Sequence, residues 1–184
     1  MSHAENYLAE TARIAQTIIP DQIEDMARKL LFLRERNAKL YLIGLGGSLA
    51  NAVHMAADLR KLCNINAEAF DNLAELTARA NDEGMASIFA HWLSAATRED
   101  DLFVLSVGGG TDEVSPAITR AVREFPGRVL GIVGPKGGET AARGHCVIKI
   151  PAAAPITPHT EAFQAVIWHA LVSHPLLQIW PTKW

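Results

Sequence analysis

The sequence has little of several features that would mark particular classes of protein. It has two cysteines in 184 residues, too few for a disulfide framework, so a reduced, cytoplasmic compartment is expected. No apolar run is long enough to span a membrane, and the polar start of the chain does not resemble a signal peptide. A net charge of -3 provides no basic surface for nucleic acid. These absences predict a cytoplasmic protein that binds neither a membrane nor nucleic acid directly.

The residues that are present indicate an α/β fold. The apolar fraction of 49% is typical of a globular chain, and 184 residues suffice for one well-buried domain with flanking helices. Short Val-, Ile- and Leu-rich segments alternate with helical ones, which predicts a three-layer αβα sandwich around a five-stranded parallel sheet. We predict strands near 39–44, 66–70, 102–107, 129–134 and 146–150, and helices near 48–63, 84–97, 113–124, 139–143 and 159–174.

The first 37 residues are predicted to be helical and to precede the sheet. Two apolar stripes with helical spacing are divided by Pro20, a residue that suits the start of a second helix. The stripes are broad, which either packing between subunits or an intramolecular helical layer would explain. We expect a single domain over 1–184, with helices in 1–37, an αβα core in 38–184, and a surface arm or subunit contact at 181–184.

A pattern of strand, glycine-rich turn and helix occurs three times. It appears at Gly44–Ser48, again at Ser106–Thr111 and, more weakly, at Gly134–Gly138. Glycines let the backbone come close to a ligand, and the free amides of a helix N-terminus attract anions. Two such turns at the carboxyl ends of neighbouring parallel strands would form a crevice for a phosphorylated small molecule, which indicates a phosphosugar site.

Two predicted helices each carry ionisable residues on one face. His54 and Asp58 are four residues apart, so they could ligate a metal or share a proton, or form only a local hydrogen-bonded pair. Glu161 and His169 are eight residues apart in a largely apolar helix, where polar groups need partners. For this second pair, core hydrogen bonding or subunit packing is the alternative to a functional role.

Two further polar residues follow turns. Asp82 lies in the segment 81–84, which is predicted to form a turn and to cap the next helix. Lys136 lies in the third glycine-rich turn, where it either faces a ligand phosphate or is solvated on a loop.

In their order and spacing, these segments resemble the sugar isomerase (SIS) domain family. Within it, they are most similar to the branch that holds bacterial phosphoheptose isomerases and the DnaA-initiator-associating protein. The resemblance covers nearly the whole chain and implies a flavodoxin-like SIS fold with added N-terminal helices. It also implies a homotetramer whose sites lie between subunits. The segments that carry it are 44–48, 54–59, 81–84, 106–111, 134–138 and 161–169.

The resemblance also implies which residues bind substrate. Ser48 matches the family serine that contacts phosphate, although Leu45 replaces the family Asn in the same turn. In the second turn Val107 and glycines replace most polar positions of the family pattern, and acidic residues follow at 112–113, where they would compete with a phosphate. The expected substrate-binding residues are Gly46, Gly47, Ser48, Asp82, Ser106, Gly108, Gly109, Thr111 and Lys136.

The acid/base and metal positions follow from the same resemblance. In some isomerases His, Glu, Gln and His together hold zinc, and the corresponding residues here are His54, Asp58, Glu161 and His169. Asp58 and His169 would form the acid/base pair, with Asp58 one methylene shorter than the family Glu. Zinc or another divalent ion is the expected metal, and no nucleotide cofactor is expected.

Two functions are compatible with these residues. The first is an aldose–ketose isomerase of a sugar phosphate, most like the isomerase of sedoheptulose 7-phosphate. The alternative is a non-catalytic SIS-domain protein that binds a phosphosugar or serves regulation or assembly, as the DnaA-initiator-associating protein does. The altered second turn favours the alternative, whereas ionisable residues at all four metal positions favour the enzyme.

Overall fold

A computed structural model describes residues 1–180 of the chain, so the predicted surface arm at 181–184 lies outside the described residues. Five parallel strands form one sheet in the order β2-β1-β3-β4-β5. This confirms the predicted sheet, with strand ends within two residues of the predicted ones. The strands are β1 (Leu40–Ile43), β2 (Ala67–Ala69), β3 (Asp101–Ser106), β4 (Arg128–Val133) and β5 (Cys146–Lys149).

Helices precede the sheet, connect its strands and follow its last strand. They are α1 (His3–Thr17), α2 (Pro20–Glu35), α3 (Gly47–Cys63), α4 (Leu73–Glu83), α5 (Ile88–Trp92), α6 (Pro116–Glu124), α7 (Gly138–Arg143) and α8 (Ile156–Val172). Within residues 1–180, no helix is both long enough and apolar enough to cross a membrane.

Both faces of the sheet are covered, as the three-layer prediction requires. Along β1, Leu40 and Leu42 pack with residues of α1, α2, α3 and α8. Tyr41 and Ile43 belong to a second cluster with residues of α5 and α6. Successive strand side chains point to opposite faces, so a strand that is apolar throughout must be buried on both sides.

The strand order places the two main glycine-rich turns side by side. β1 pairs with β3 in register from Leu40 opposite Asp101 to Ile43 opposite Val104. The chain passes from β1 to β2 on one side and from β3 to β4 on the other side. Such a reversal of direction between neighbouring parallel strands opens a crevice at their carboxyl ends. The turns at 44–48 and 106–111 therefore flank this crevice, as predicted.

The predicted helix at 84–97 is present only as short helical segments over 85–95, and the predicted capping role of Asp82 is wrong. Helix α4 occupies 73–83 and ends at Gly84, which has a left-handed φ of 85°. Short helical segments then follow, with α5 between single turns at 85–87 and 93–95. The overlooked signal is Asn72, whose side chain caps α4 by accepting from the amides of Ala74 and Glu75.

Helices α6 and α8 also differ from the prediction at their N-termini. Helix α6 begins at Pro116 instead of residue 113, because Pro at the first helical position fixes φ and needs no hydrogen-bond acceptor. Asp112 therefore precedes the helix, and its carboxylate accepts two hydrogen bonds from Arg123, at 2.9 and 3.1 Å. Helix α8 begins at residue 156 instead of 159 and ends at residue 172.

The N-terminal helices pack against the core of their own chain. Ile14 of α1 and Met26, Leu30 and Leu33 of α2 are fully buried in it. This supports the intramolecular explanation of the apolar stripes. Part of the apolar surface nevertheless stays outside, since Leu8 is 65% exposed.

Glu10→Gln is expected to remove an acid-sensitive contact of α1. Hydrogen bonds from the Arg13 guanidinium and then from the Ala153 amide lower the pKa of Glu10 to about 2. Because the folded-state pKa is below the ordinary value of 4.5, the contact stabilises fully above that pH and is lost as the pH falls toward 2. Thermal unfolding across this range should show a Tm gap between wild type and variant that closes in acid. A gap of constant size would contradict the expectation.

Candidate functional site

The first glycine-rich turn leads directly into helix α3. Gly46 is the N-cap residue and no side chain caps the helix, so its first amides are available to an anion. Ser48 is only 1% exposed, and its Oγ atom has no hydrogen-bond partner within residues 1–180. A buried hydroxyl without a partner is uncommon and is consistent with a ligand-binding role.

Three of the four predicted metal positions come together. The potential ligand atoms of His54, Asp58 and His169 lie within 4.8 Å of one another. The Nε2 atom of His54 is 3.5 Å from Oδ2 of Asp58, and the two imidazole rings are 5.6 Å apart between centroids. Helix α3 supplies His54 and Asp58 one turn apart, and α8 supplies His169 across the contact between the two helices.

The orientation of His169 is set by its own helix. Its Nδ1 atom lies 2.8 Å from the carbonyl oxygen of Ala165, to which an Nδ1–H donates. This hydrogen bond favours the neutral tautomer that carries its lone pair on Nε2. The Nε2 atom is therefore the one suited to accept a proton or to ligate a metal.

Glu161, the fourth predicted metal position, is not part of this cluster. Its carboxylate lies against Gly47, where a Cβ atom would collide with it. The main-chain oxygen of Glu161 accepts a hydrogen bond of 3.0 Å from the amide of Asn51. The structure thus places the Glu161 carboxylate at the first turn of α3, beside the expected phosphate position, and not with the two imidazoles.

The cluster of His54, Asp58 and His169 fits a divalent metal ion. Two imidazole nitrogens and a carboxylate oxygen are donors that zinc accepts, and three protein ligands leave a position open. Ligands of a tetrahedral zinc ion lie about 3.3 Å apart, given bond lengths near 2.0 Å. The observed spacing of up to 4.8 Å therefore requires only small side-chain movements.

The second glycine-rich turn uses many of its polar groups internally. The Oγ atom of Ser106 accepts from the amide of Gly109 at 3.0 Å, and Oγ1 of Thr111 accepts from the amide of Val114 at 3.2 Å. The amide of Thr111 donates to Oγ of Ser115 at 3.4 Å. These hydroxyl groups hold the turn in shape, which the sequence did not predict.

Glycines in this turn also permit contact with the third turn. A Cβ on Gly109 would collide with the carbonyl of Gly137. The amide and hydroxyl of Thr140, in the first turn of α7, donate to the carbonyl of Gly109 at 2.9 and 2.7 Å. Close packing of two backbone segments, and not only approach to a ligand, explains these glycines.

Four of the nine predicted substrate-binding residues line two separate cavities of the described chain. Gly46 and His54 share a cavity of about 630 Å³ with Asp71, which follows β2. Gly108, Thr111 and Lys136 line another, of about 390 Å³, beside the start of α8. Asp82 lies in the last turn of α4, where its carboxylate accepts from the side-chain amide of Asn81 at 2.7 Å.

Sequence reasoning missed Asn51 and the indole of Trp168. Trp168 is fully buried and packs edge-on against His54, with 4.6 Å between ring centroids. The Nε1–H of Trp168 donates to Oδ1 of Asn51 at 3.4 Å. The available signal was an Asn on the same side of an alanine-rich helix as His54, three residues before it.

The chain is similar to known proteins along most of its length. A scan against protein-family models gave no match. In an alignment of 170 positions, the chain is 30% identical to the phosphoheptose isomerase of Desulfovibrio desulfuricans, and the alignment covers 87% of this chain and 80% of that protein. It is 29% identical to the phosphoheptose isomerase of Mycobacterium bovis, over 93% of this chain and 92% of that protein.

Solved structures show the same fold. The phosphoheptose isomerase of Neisseria gonorrhoeae superposes with a TM-score of 0.81 at 24% identity, covering 92% of this chain and 94% of that chain. The phosphoheptose isomerase of Francisella tularensis superposes with a TM-score of 0.77 at 23% identity, covering 92% of each chain. Together with the sequence identities, these superpositions show that this chain belongs to the SIS domain family, in the branch of the phosphoheptose isomerases.

Proposed function

We propose that this protein is an aldose–ketose isomerase of a sugar phosphate, with sedoheptulose 7-phosphate as the substrate to test first. The observation that carries the proposal is the cluster of His54, Asp58 and His169 beside the first anion-binding turn. Family membership supports the same reaction, since relatives along nearly the whole chain are named phosphoheptose isomerases.

The isomerisation requires a proton to move between adjacent carbons through an enediol. Asp58 and His169 are suited to remove and return that proton, because a carboxylate and an imidazole lie within one small cluster. If His54, Asp58 and His169 instead held a divalent ion, the ion would polarise the carbonyl group and favour the enediol, and the Nε2 lone pair of His169 would then not be available to a proton. The remaining residues bind and orient the sugar, so that the reacting carbons face the acid/base pair.

The phosphate group is assigned to the glycine-rich turns. The amides at Gly46, Gly47 and Ser48 start helix α3 without a side-chain cap, and the Ser48 hydroxyl has no other partner within residues 1–180. At the second and third turns the assigned residues are Ser106, Gly108, Gly109, Thr111 and Lys136. Of these, Gly108, Thr111 and Lys136 line the second cavity, where Lys136 contributes positive charge. Asp82 is assigned to the sugar hydroxyl groups by resemblance alone. Glu161 is assigned to the substrate-binding residues, because its carboxylate lies at the first turn of α3, beside the expected phosphate position.

A homotetramer with sites between subunits accounts for the separation of the two cavities. Gly108, Thr111 and Lys136 line a different cavity from Gly46 and His54, and a second copy could complete each cavity. Exposed apolar side chains support such contacts, since Leu8 of α1 is 65% and Val166 of α8 is 55% exposed. Residues 1–37 would then serve oligomerisation within a single domain of 184 residues.

Sedimentation velocity tests this assembly. We expect one species with the mass of four 20.0 kDa chains, in which one subunit would bring its second cavity to the acid/base cluster of its neighbour. A monomer that retains full turnover would contradict the intersubunit site.

The two unpaired cysteines support a reducing compartment, and hence a cytoplasmic location.

Proton NMR in D2O tests the reaction itself. Purified protein is incubated with sedoheptulose 7-phosphate and with C5–C7 sugar phosphates, with and without zinc. Deuterium at the carbon next to the carbonyl, or a growing aldose signal, is the expected result. Absence of exchange with every sugar, in protein shown by circular dichroism to be folded, would overturn the proposal.

The internal hydrogen bonds of the second turn favour one alternative function. Because Ser106 and Thr111 already bind backbone amides, fewer hydroxyl groups remain for a phosphate than the family pattern provides. The alternative is a non-catalytic SIS-domain protein with a regulatory or assembly role. Saturable phosphosugar binding by calorimetry without any exchange in D2O would favour this alternative.

A further inference from the structure

We infer that Asn51 is a positioning residue, which holds His54 in the site through the indole of Trp168. The inference rests on the proposed function, because it concerns how the acid/base and metal cluster is kept in place. It extends that function to a residue that hydrogen-bonds Glu161, Gln164 and Trp168 of helix α8.

His54 is the least restrained member of the cluster. Its side chain is 59% exposed, so burial does not fix its rotamer. Asp58 limits it on one side, at 3.5 Å, and the Trp168 ring limits it on another, at 4.6 Å between centroids. Together with the His169 ring, whose centroid is 5.6 Å away, the indole therefore limits where the imidazole of His54 can lie.

The indole is in turn held by Asn51. Within residues 1–180, the Asn51 side chain makes three hydrogen bonds, all to helix α8. Their partners, Glu161, Gln164 and Trp168, are three and four residues apart and so lie on one face of that helix. The Asn51 amide donates to the main-chain oxygen of Glu161 at 3.0 Å and to Oε1 of Gln164 at 3.2 Å, and its Oδ1 accepts from Nε1–H of Trp168 at 3.4 Å. One side chain thus sets the register of α3 against α8.

The orientation of the Asn51 amide is fixed by its neighbours. A flipped amide would turn its oxygen toward two acceptors, the carbonyl of Glu161 and Oε1 of Gln164, and its nitrogen toward the indole donor. Gln164 is fully buried, and its own amide donates at 3.5 Å to the carbonyl of Ile132 in β4. The network therefore connects the sheet to His54 and has one consistent arrangement.

Asn51→Leu tests this network, because it keeps the size of the side chain and removes all three hydrogen bonds. We expect the ring-proton NMR resonances of His54 and the indole N–H resonance of Trp168 to shift. Zinc affinity, measured by competition with a chromophoric chelator, should fall about 10-fold or more, and kcat about 10-fold with KM within about 2-fold.

Leu59→Val is the matched control, since it trims a buried side chain of the same helix and leaves these hydrogen bonds intact. It should lower Tm without moving the His54 resonances. Unmoved His54 resonances in folded Asn51→Leu protein, with zinc affinity unchanged, would overturn the inference and leave Asn51 a merely structural role. The NMR readout needs no turnover, so a failure of the proposed isomerase activity would be seen separately.

Discussion

Asp58→Asn is expected to lower kcat by about 10²–10⁴-fold, the usual contribution of a positioned acid or base. Asparagine retains the size of the side chain, and hence its place beside His54, but it cannot accept a proton at neutral pH. The free energy of unfolding should change by less than about 1 kcal/mol, because the Asp58 side chain is partly solvated and its neighbour His54 is exposed. Deuterium exchange kinetics and thermal unfolding of the same preparations measure both quantities.

Asp58→Glu is the control for this prediction. It restores the length of the carboxylate that the resemblance assigns to the family, so turnover should remain within about 10-fold of wild type, well above that of Asp58→Asn. Equal activity of wild type and Asp58→Asn would remove Asp58 from the catalytic assignment. A loss in both variants would mean that the exact reach of the carboxylate decides catalysis.

Gly109→Ala is expected to destabilise the protein by about 2–5 kcal/mol, from a left-handed backbone and an overpacked contact together. Gly109 has a φ of 71°, and a Cβ atom there would collide with the backbone of Gly137. Backbone atoms cannot rotate away as a side chain can, so the second and third turns must separate. We expect a Tm lower by about 2–4 °C per kcal/mol, together with weaker binding of sugar phosphate.

Gly84→Ala is the matched control, because it isolates the backbone cost. Gly84 has a φ of 85° at the end of α4, but a Cβ atom there would have no neighbour within 4 Å. Its cost should be only the left-handed conformation, about 1–2 kcal/mol, without an effect on sugar phosphate binding. Equal losses in the two variants would show that contact between the turns contributes nothing.

Only part of the acid/base cluster could be predicted from the spacing of residues in the sequence. His54 and Asp58 are one helical turn apart, so their proximity follows from local geometry and could be predicted. His169 joins them only through the packing of α8 on α3, for which the resemblance, and not the spacing, was the guide. Glu161 shares a face of α8 with His169, yet its position along the helix axis takes its carboxylate to Gly47 instead.

By itself, the sequence determined the sheet, its parallel strands and the glycine-rich turns after β1 and β3, because these depend on local apolar runs and on turn residues. It did not determine helix α4, whose amphipathic stretch contains no fully buried residue and so gave a weak apolar signal. Only the tertiary structure decided that the glycines at 108–110 pack against 137–138, and that Asn51 joins α3 to α8. The physical reason is that these contacts connect residues distant in the chain. Which residues meet therefore depends on how the helices and loops pack against the sheet, and not on the local sequence.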